Sequence, residues 1–200
     1  MGGTGTREQA GQARPMRADA QRNYARLLGA ASAAFVEHGA DDVSLEEIAR
    51  RAGVGIGTLY RHFPTRQALL EAVYRDQVES LRARAEALRE AESPGDALAE
   101  WLRAMVRFSS TKRSMISALL AALGTDSELL SACATVIRGS AESLLTRAKQ
   151  AGVVRPDADA GDVIRLVHAV NIATEKAADP GQADRMLALI LDGLRPQPAG

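Results

Sequence analysis

A chain of 200 residues, 46% hydrophobic but only 4% aromatic, has room for one or two small domains with a real core. Twenty-five basic and twenty-five acidic residues cancel to a formal net charge of zero, so no global cationic field points to nucleic acid and a DNA-binding surface has to be local. The single cysteine, Cys133, excludes an internal disulfide and a zinc finger, and the lack of a long apolar run or a signal-peptide core predicts a cytoplasmic protein with no membrane partner.

Residues 1–18 are rich in Gly, Gln, Thr and Arg without apolar periodicity and are expected to form a disordered arm. Arg14 and Arg17 stand just ahead of the first helix. They belong either to a solvated tail or to a basic arm that orders on a DNA backbone or minor groove. From Asp19 to His38, Tyr24, Leu27, Leu28, Ala31, Ala34 and Phe35 recur at steps of three and four, which predicts an amphipathic helix ended by Gly39. His38 suits the negative end of that helix better than it suits a ligand role.

The next stretch, Ser44 to Phe63, reads SLEEIARRAGVGIGTLYRHF. Ser44 is an N-cap, Glu47 is placed to complete a capping box, and Val43 and Ile48 are placed as a hydrophobic staple. The helix they start ends at Gly53, where a left-handed backbone is cheap for glycine. A second helix starts near Gly55 or Ile56 and runs to Phe63, where Pro64 forbids its continuation. Ala49 four residues before Gly53, and Leu59 six after it, fit a helix-turn-helix: a small residue where two helices cross, a glycine turn, an apolar residue closing the core. Ile48, Val54 and Leu59 fill that core. Gly57, Thr58, Tyr60, Arg61 and His62 are left outward, a face without acids and with donors suited to phosphates and base edges. The bland alternative is a plain helical hairpin with Tyr60 and Phe63 in a core.

GVGIGTLYRHFPTRQALLEAV, with SLEEIARRA before it, resembles the DNA-binding domain of TetR-type transcriptional regulators over roughly residues 22–74. The resemblance implies an all-α fold of about nine helices: a three-helix helix-turn-helix domain over 19–64, a helical ligand-binding and dimerisation domain over 65–195, and a short disordered tail over 196–200. It also implies a homodimer, no enzymatic activity and no cofactor. The expected function is a ligand-responsive repressor binding a palindromic double-stranded DNA operator. On this chain Arg61 is then the base reader, with Tyr60, His62, Thr58, Ser44 and Arg66 on phosphates. Gly57 allows close backbone approach, Gly55 stands beside it at the helix start, and Arg17 joins the DNA-binding set on the reading of the arm as one that orders on DNA. One departure is visible: many members carry a polar residue and a lysine where this chain has Gly55 and Ile56, which leaves more to Arg61, Tyr60, His62 and Arg66.

Thr65 is positioned to cap a fourth helix to about Ala91, with Leu69, Leu70, Val73, Val78, Leu81, Ala85 and Leu88 as its buried stripe. Arg66 in its first turn is disfavoured by the helix dipole, a misfit that a nearby phosphate would resolve. Moving the far end of this helix would tilt the two-helix reader. Ser93, Pro94 and Asp96 restart the chain, giving a helix to about Thr111, and others follow over roughly Ser114 to Leu123 and Ser127 to Ala151. Asp159 begins a helix to about Ala178. Asp179, Pro180 and Gln182 introduce the last, to Leu194, which is apolar over more than one face. Those last two helices resemble the dimer interface of the family, against the simpler reading that they cover their own core.

Trp101, Met105, Phe108, Met115 and Leu119 form a flexible, Met-rich apolar set, read either as core or as the wall of a pocket for a largely apolar small-molecule effector. The family resemblance favours a pocket among these middle helices. His168 and Asn171 are either its polar anchors or satisfied interior groups. Catalysis finds little support: the three histidines, His38, His62 and His168, are far apart, and no triad, metal spacing or dinucleotide fingerprint appears. GVGIG follows a helix rather than a strand, so it is not a phosphate loop. Two rivals remain, a helical protein-interaction module without DNA binding and an enzyme on a helical scaffold.

Overall fold

The computed structural model describes residues 8–40, 42–110, 113–124, 127–175, 177, 179 and 181–196, with side chains from Ala18 onward except at 109, 110, 113 and 114. Among the described residues every regular element is a helix: α1 (Glu8–His38), α2 (Leu45–Ala52), α3 (Ile56–His62), α4 (Arg66–Leu88), α5 (Pro94–Ser110), α6 (Arg113–Leu123), α7 (Glu128–Gln150), α8 (Ala160–Ala173) and α9 (Gln182–Gly193). The chain divides into two compact units, Met1–Val73 and Tyr74–Gly200. The division falls inside α4.

In the first unit α1, α2 and α3 pack on one another. Leu27, Ala31, Ala34 and Phe35 of α1 meet Ile48, Ala49 and Ala52 of α2 and Leu59 of α3 in a closed core. Two expectations need correction here. The stretch 8–18, expected to be disordered, is helical from Glu8; Glu8, Gln9, Ala10, Gln12, Ala13 and Arg14 are good helix formers that no apolar period reveals. Residues 1–7 and 197–200 lie outside the described residues. The capping box closes only halfway: Ser44 Oγ accepts from Glu47 N at 3.1 Å, but the Glu47 carboxylate is taken by Arg50 and Arg51.

In the second unit α5 lies against α7, α8 and α9, and α8 packs on both α7 and α9. Trp101, fully enclosed on α5, donates from Nε1 to Leu81 O at 3.0 Å, satisfying its one polar atom. α4 stops at Leu88, short of Ala91, because Arg147 of α7 donates to the carbonyls of Leu88 and Ala91 and so closes the helix end. α8 stops at Ala173, short of Ala178. Thr174 turns its hydroxyl back onto Val170 O at 2.8 Å while its amide bonds the same carbonyl. Cys133 is buried, and burial pushes its thiol above the ordinary value, as suits a small apolar residue rather than a reactive one.

Candidate nucleic-acid interface

The turn between α2 and α3 is built by local rules. Gly53 takes φ +64° and its amide closes α2 on Arg50 O, while Val54 N reaches Ala49 O. Arg26 of α1 donates from Nη2 to Gly53 O at 3.1 Å and fastens the turn to the first helix. That tie was not legible: an arginine on the polar face of an amphipathic helix carries no signal of its partner.

α3 then splits into two faces. Leu59 is fully enclosed and Phe63, its C-cap, nearly so. Tyr60 is 45% exposed and Ile56 37%, and Gly55, Gly57 and Arg61 are exposed as well; Thr58 and His62 are half-buried. His62 leans on Tyr24 of α1 with ring centroids 5.8 Å apart, and Tyr24 lies 5.1 Å from Phe63, so an aromatic group holds the end of α3 to α1. No side chain caps the start of α3 and no acid lies in its first turn, so its positive end stays uncompensated. A Cβ added at Gly55 or Gly57 would meet nothing within 4 Å. The fold itself therefore does not require glycine at either place.

Both arginines of α2 are engaged by carboxylates within the chain, Arg50 by Glu47 at 2.7 Å. Arg51 pairs with Glu47 at 2.7 Å and Glu37 at 2.5 Å and contacts His38 at 3.2 Å. Arg51, with Arg50, holds the Glu47 carboxyl below its usual range, and Arg51 does the same for Glu37. Ser44 lies exposed at the start of α2, its oxygen already serving as cap. The half-buried guanidinium of Arg66 donates to Val43 O at 2.6 Å and to Ala40 O, so two loop carbonyls offset the dipole misfit at the start of α4. The side chain of Arg17 lies outside the described residues.

The expected effector residues separate into two environments. Trp101, Met105, Met115 and Leu119 are at most 2% exposed and Phe108 8%, so they stand as closed core. A hollow of about 320 Å³ opens instead between α4 and α5, with Leu81 and Phe108 at its apolar side and Ser80, Arg84 and Arg107 around it. Arg84 is paired with Glu100 at 2.8 Å. On α8, His168 is exposed, yet partial desolvation lowers its pKa from the ordinary imidazole value. Asn171, three residues on, is buried, donates from Nδ2 to Val167 O at 3.1 Å and leaves Oδ1 without a hydrogen-bond partner. Among the described residues no group of three His, Cys, Asp or Glu side chains is placed to hold a metal, and no helix is long and apolar enough to cross a membrane.

Comparison with known proteins covers both units. Residues 27–73 match the model of bacterial regulatory proteins of the tetR family, and residues 93–196 match that of the C-terminal domain of SbtR-like transcriptional regulators. An HTH-type transcriptional regulator of Mycobacterium tuberculosis (strain H37Rv) is 31% identical over 166 residues, 77% of this chain and 80% of that protein. A TetR transcriptional regulator from Streptomyces coelicolor is similar in structure with a TM-score of 0.78 at 35% identity, covering 86% of this chain and 98% of the other. A TetR regulatory protein from Mycobacterium vanbaalenii gives a TM-score of 0.74 at 38% identity, covering 91% and 100%.

Proposed function

The chain belongs to the TetR family of DNA-binding transcriptional regulators, and we propose that it acts as a homodimeric, effector-controlled repressor that sets α3 of each subunit in a major groove. The observation that carries this reading is the division of α3: Leu59 and Phe63 anchor it while Gly57, Tyr60 and Arg61 are left to solvent on a face without acids. Arg61 reads a base, guanine being matched by its two-pronged donor geometry. Tyr60, Thr58, His62 and Ser44 lie on phosphates, and Gly55 and Gly57 let the backbone come close. Two-fold symmetry of the dimer makes the operator a near-palindrome.

The dimer face is drawn from the last two helices. Leu166 (47% exposed) and Ile172 (66%) of α8 and Leu189 (72%) of α9 are large apolar side chains left in water by a single chain, an arrangement that a second copy would relieve. The effector is largely apolar and enters among Trp101, Met105, Phe108, Met115 and Leu119, which must repack to admit it. His168 and Asn171 supply the polar contacts, Asn171 Oδ1 being an acceptor in want of a donor. To release DNA the effector must bind more tightly to a dimer whose two α3 helices no longer match the half-site spacing. Selection of bound duplexes from a random library tests the DNA half of this reading: an inverted repeat supports it, and no enriched sequence contradicts it. A thermal-shift screen of apolar small molecules, followed by release of the selected duplex, tests the effector half.

A further inference from the structure

α4 begins with a cation where its own dipole disfavours one. Thr65 caps the helix, Oγ1 accepting from Ala68 N at 3.0 Å, and no acid lies in the first turn to offset Arg66. Helical side chains lean toward the N-terminus, so Arg66 reaches back from α4 onto the segment that joins α1 to α2. There its guanidinium spans two acceptors, Nη1 donating to Val43 O at 2.6 Å and Nη2 to Ala40 O. Ala40 and Val43 are 2% and 4% exposed, so water is a poor substitute partner for their carbonyls. Val43 directly precedes Ser44, the cap that fixes where α2 starts. The planar fork holds two separated N–H donors in fixed directions, one on each carbonyl, whereas an ammonium gathers its three donors on one nitrogen at the end of a flexible stem.

We infer that Arg66 is a positioning residue for DNA reading: by holding the carbonyls of Ala40 and Val43 it fixes the start of α2 against the start of α4, and with it the angle at which α3 is offered, and it does not neutralise a phosphate. The inference rests on the reading of α3 as the DNA-contacting helix.

Two substitutions in the full chain separate the roles. Arg66→Lys keeps the charge and loses the fork; Arg66→Met loses both. The affinity of each for a duplex selected by the wild-type protein from a random library is measured across a series of KCl concentrations. A phosphate contact contributes about 0.9 to the slope of log affinity against log salt. Positioning requires both variants to lose roughly tenfold or more in affinity at fixed salt, the scale of lost hydrogen bonds to a charged group, with the wild-type slope retained. Wild-type affinity in Arg66→Lys, or a slope lowered by about 0.9 per subunit in Arg66→Met, overturns the inference. Amide exchange from Val43 to Ile48, followed without DNA, is the second readout: it accelerates in both variants while α7 keeps its protection, and unchanged exchange at 43–48 overturns the clamp. If Arg66→Met does not fold, Arg66→Lys carries both readouts. A wild-type chain that selects no duplex contradicts the DNA reading, and the exchange result then decides the clamp alone.

Discussion

Gly53 and Gly57 lie four residues apart around the turn from α2 to α3, and the fold treats them differently. Gly53 sits at φ +64°, and a Cβ there would stand 2.5 Å from Arg26 Nη2, so Gly53→Ala strains the backbone and displaces the arginine that fastens the turn. We expect a loss of about 1–2 kcal/mol in chemical denaturation, the cost of a left-handed non-glycine residue. Gly57 is helical with open space around it, so Gly57→Ala should leave stability equal or raise it by up to about 1 kcal/mol, the helix preference of alanine. The same change should weaken DNA binding by holding the backbone off the duplex. Stabilisation with full DNA affinity would show that nothing approaches this face. Arg61→Ala should cost about 1–3 kcal/mol of operator affinity and relax base preference at one position of each half-site. An equal loss on every sequence would place Arg61 on a phosphate instead. Tyr60→Phe should weaken selected and random duplexes alike, and altered preference would contradict its backbone role.

Among the elements, those started and stopped by neighbours in sequence were legible. The Ser44 cap, the Gly53 stop and the Ser93 restart all act over three or four residues, and the structure keeps each of them, with Asp96 N on Ser93 Oγ at 3.3 Å. What escaped the sequence is a set of arginines that act at long range: Arg26 on Gly53 O, Arg66 on Ala40 O and Val43 O, Arg147 on Leu88 O and Ala91 O. Each looks like any charge on a polar helix face, because an amphipathic pattern says which side is wet and not which carbonyl a guanidinium will find. The start of α1 escaped for the opposite reason, since residues 8–18 have propensity without period. The tie at the end of α4 can be measured. Arg147→Ala leaves Ala91 O without its donor, while Leu88 O keeps the amide of Ala91, and should lower stability by about 1–3 kcal/mol, with faster amide exchange in the last turn of α4. No change in either would show that water serves as well.

For the whole molecule, ionisation should make stability fall on the acid side. His168 is held below the ordinary imidazole value, so the folded form disfavours its proton, and stability should begin to drop as the pH falls below about 6.5. Glu37, Glu47, Glu79, Asp157 and Asp179 are each held below their usual values by arginine partners. Their contribution is present above the ordinary carboxylate range and is lost as pH falls from about 4 through the lowered values. Melting temperature against pH should show both steps, and His168→Gln should remove the upper one; a curve flat from pH 7 to pH 5 in the wild type would contradict the histidine assignment. Assembly gives a separate check. Light scattering at micromolar concentration should return twice the 21.2 kDa of one chain, and Leu189→Glu should return a single copy.

The proposed reading of DNA depends on the outward face of a seven-residue helix, Ile56–His62. Selection of duplexes from a random library by the wild-type chain, with Arg61→Ala run in parallel, interrogates that face most directly. The expected result is an inverted repeat of two similar half-sites from the wild type, losing preference at one matched position in each half when Arg61 is removed. Recovery of the same sequence by both proteins, or of none by either, would contradict it.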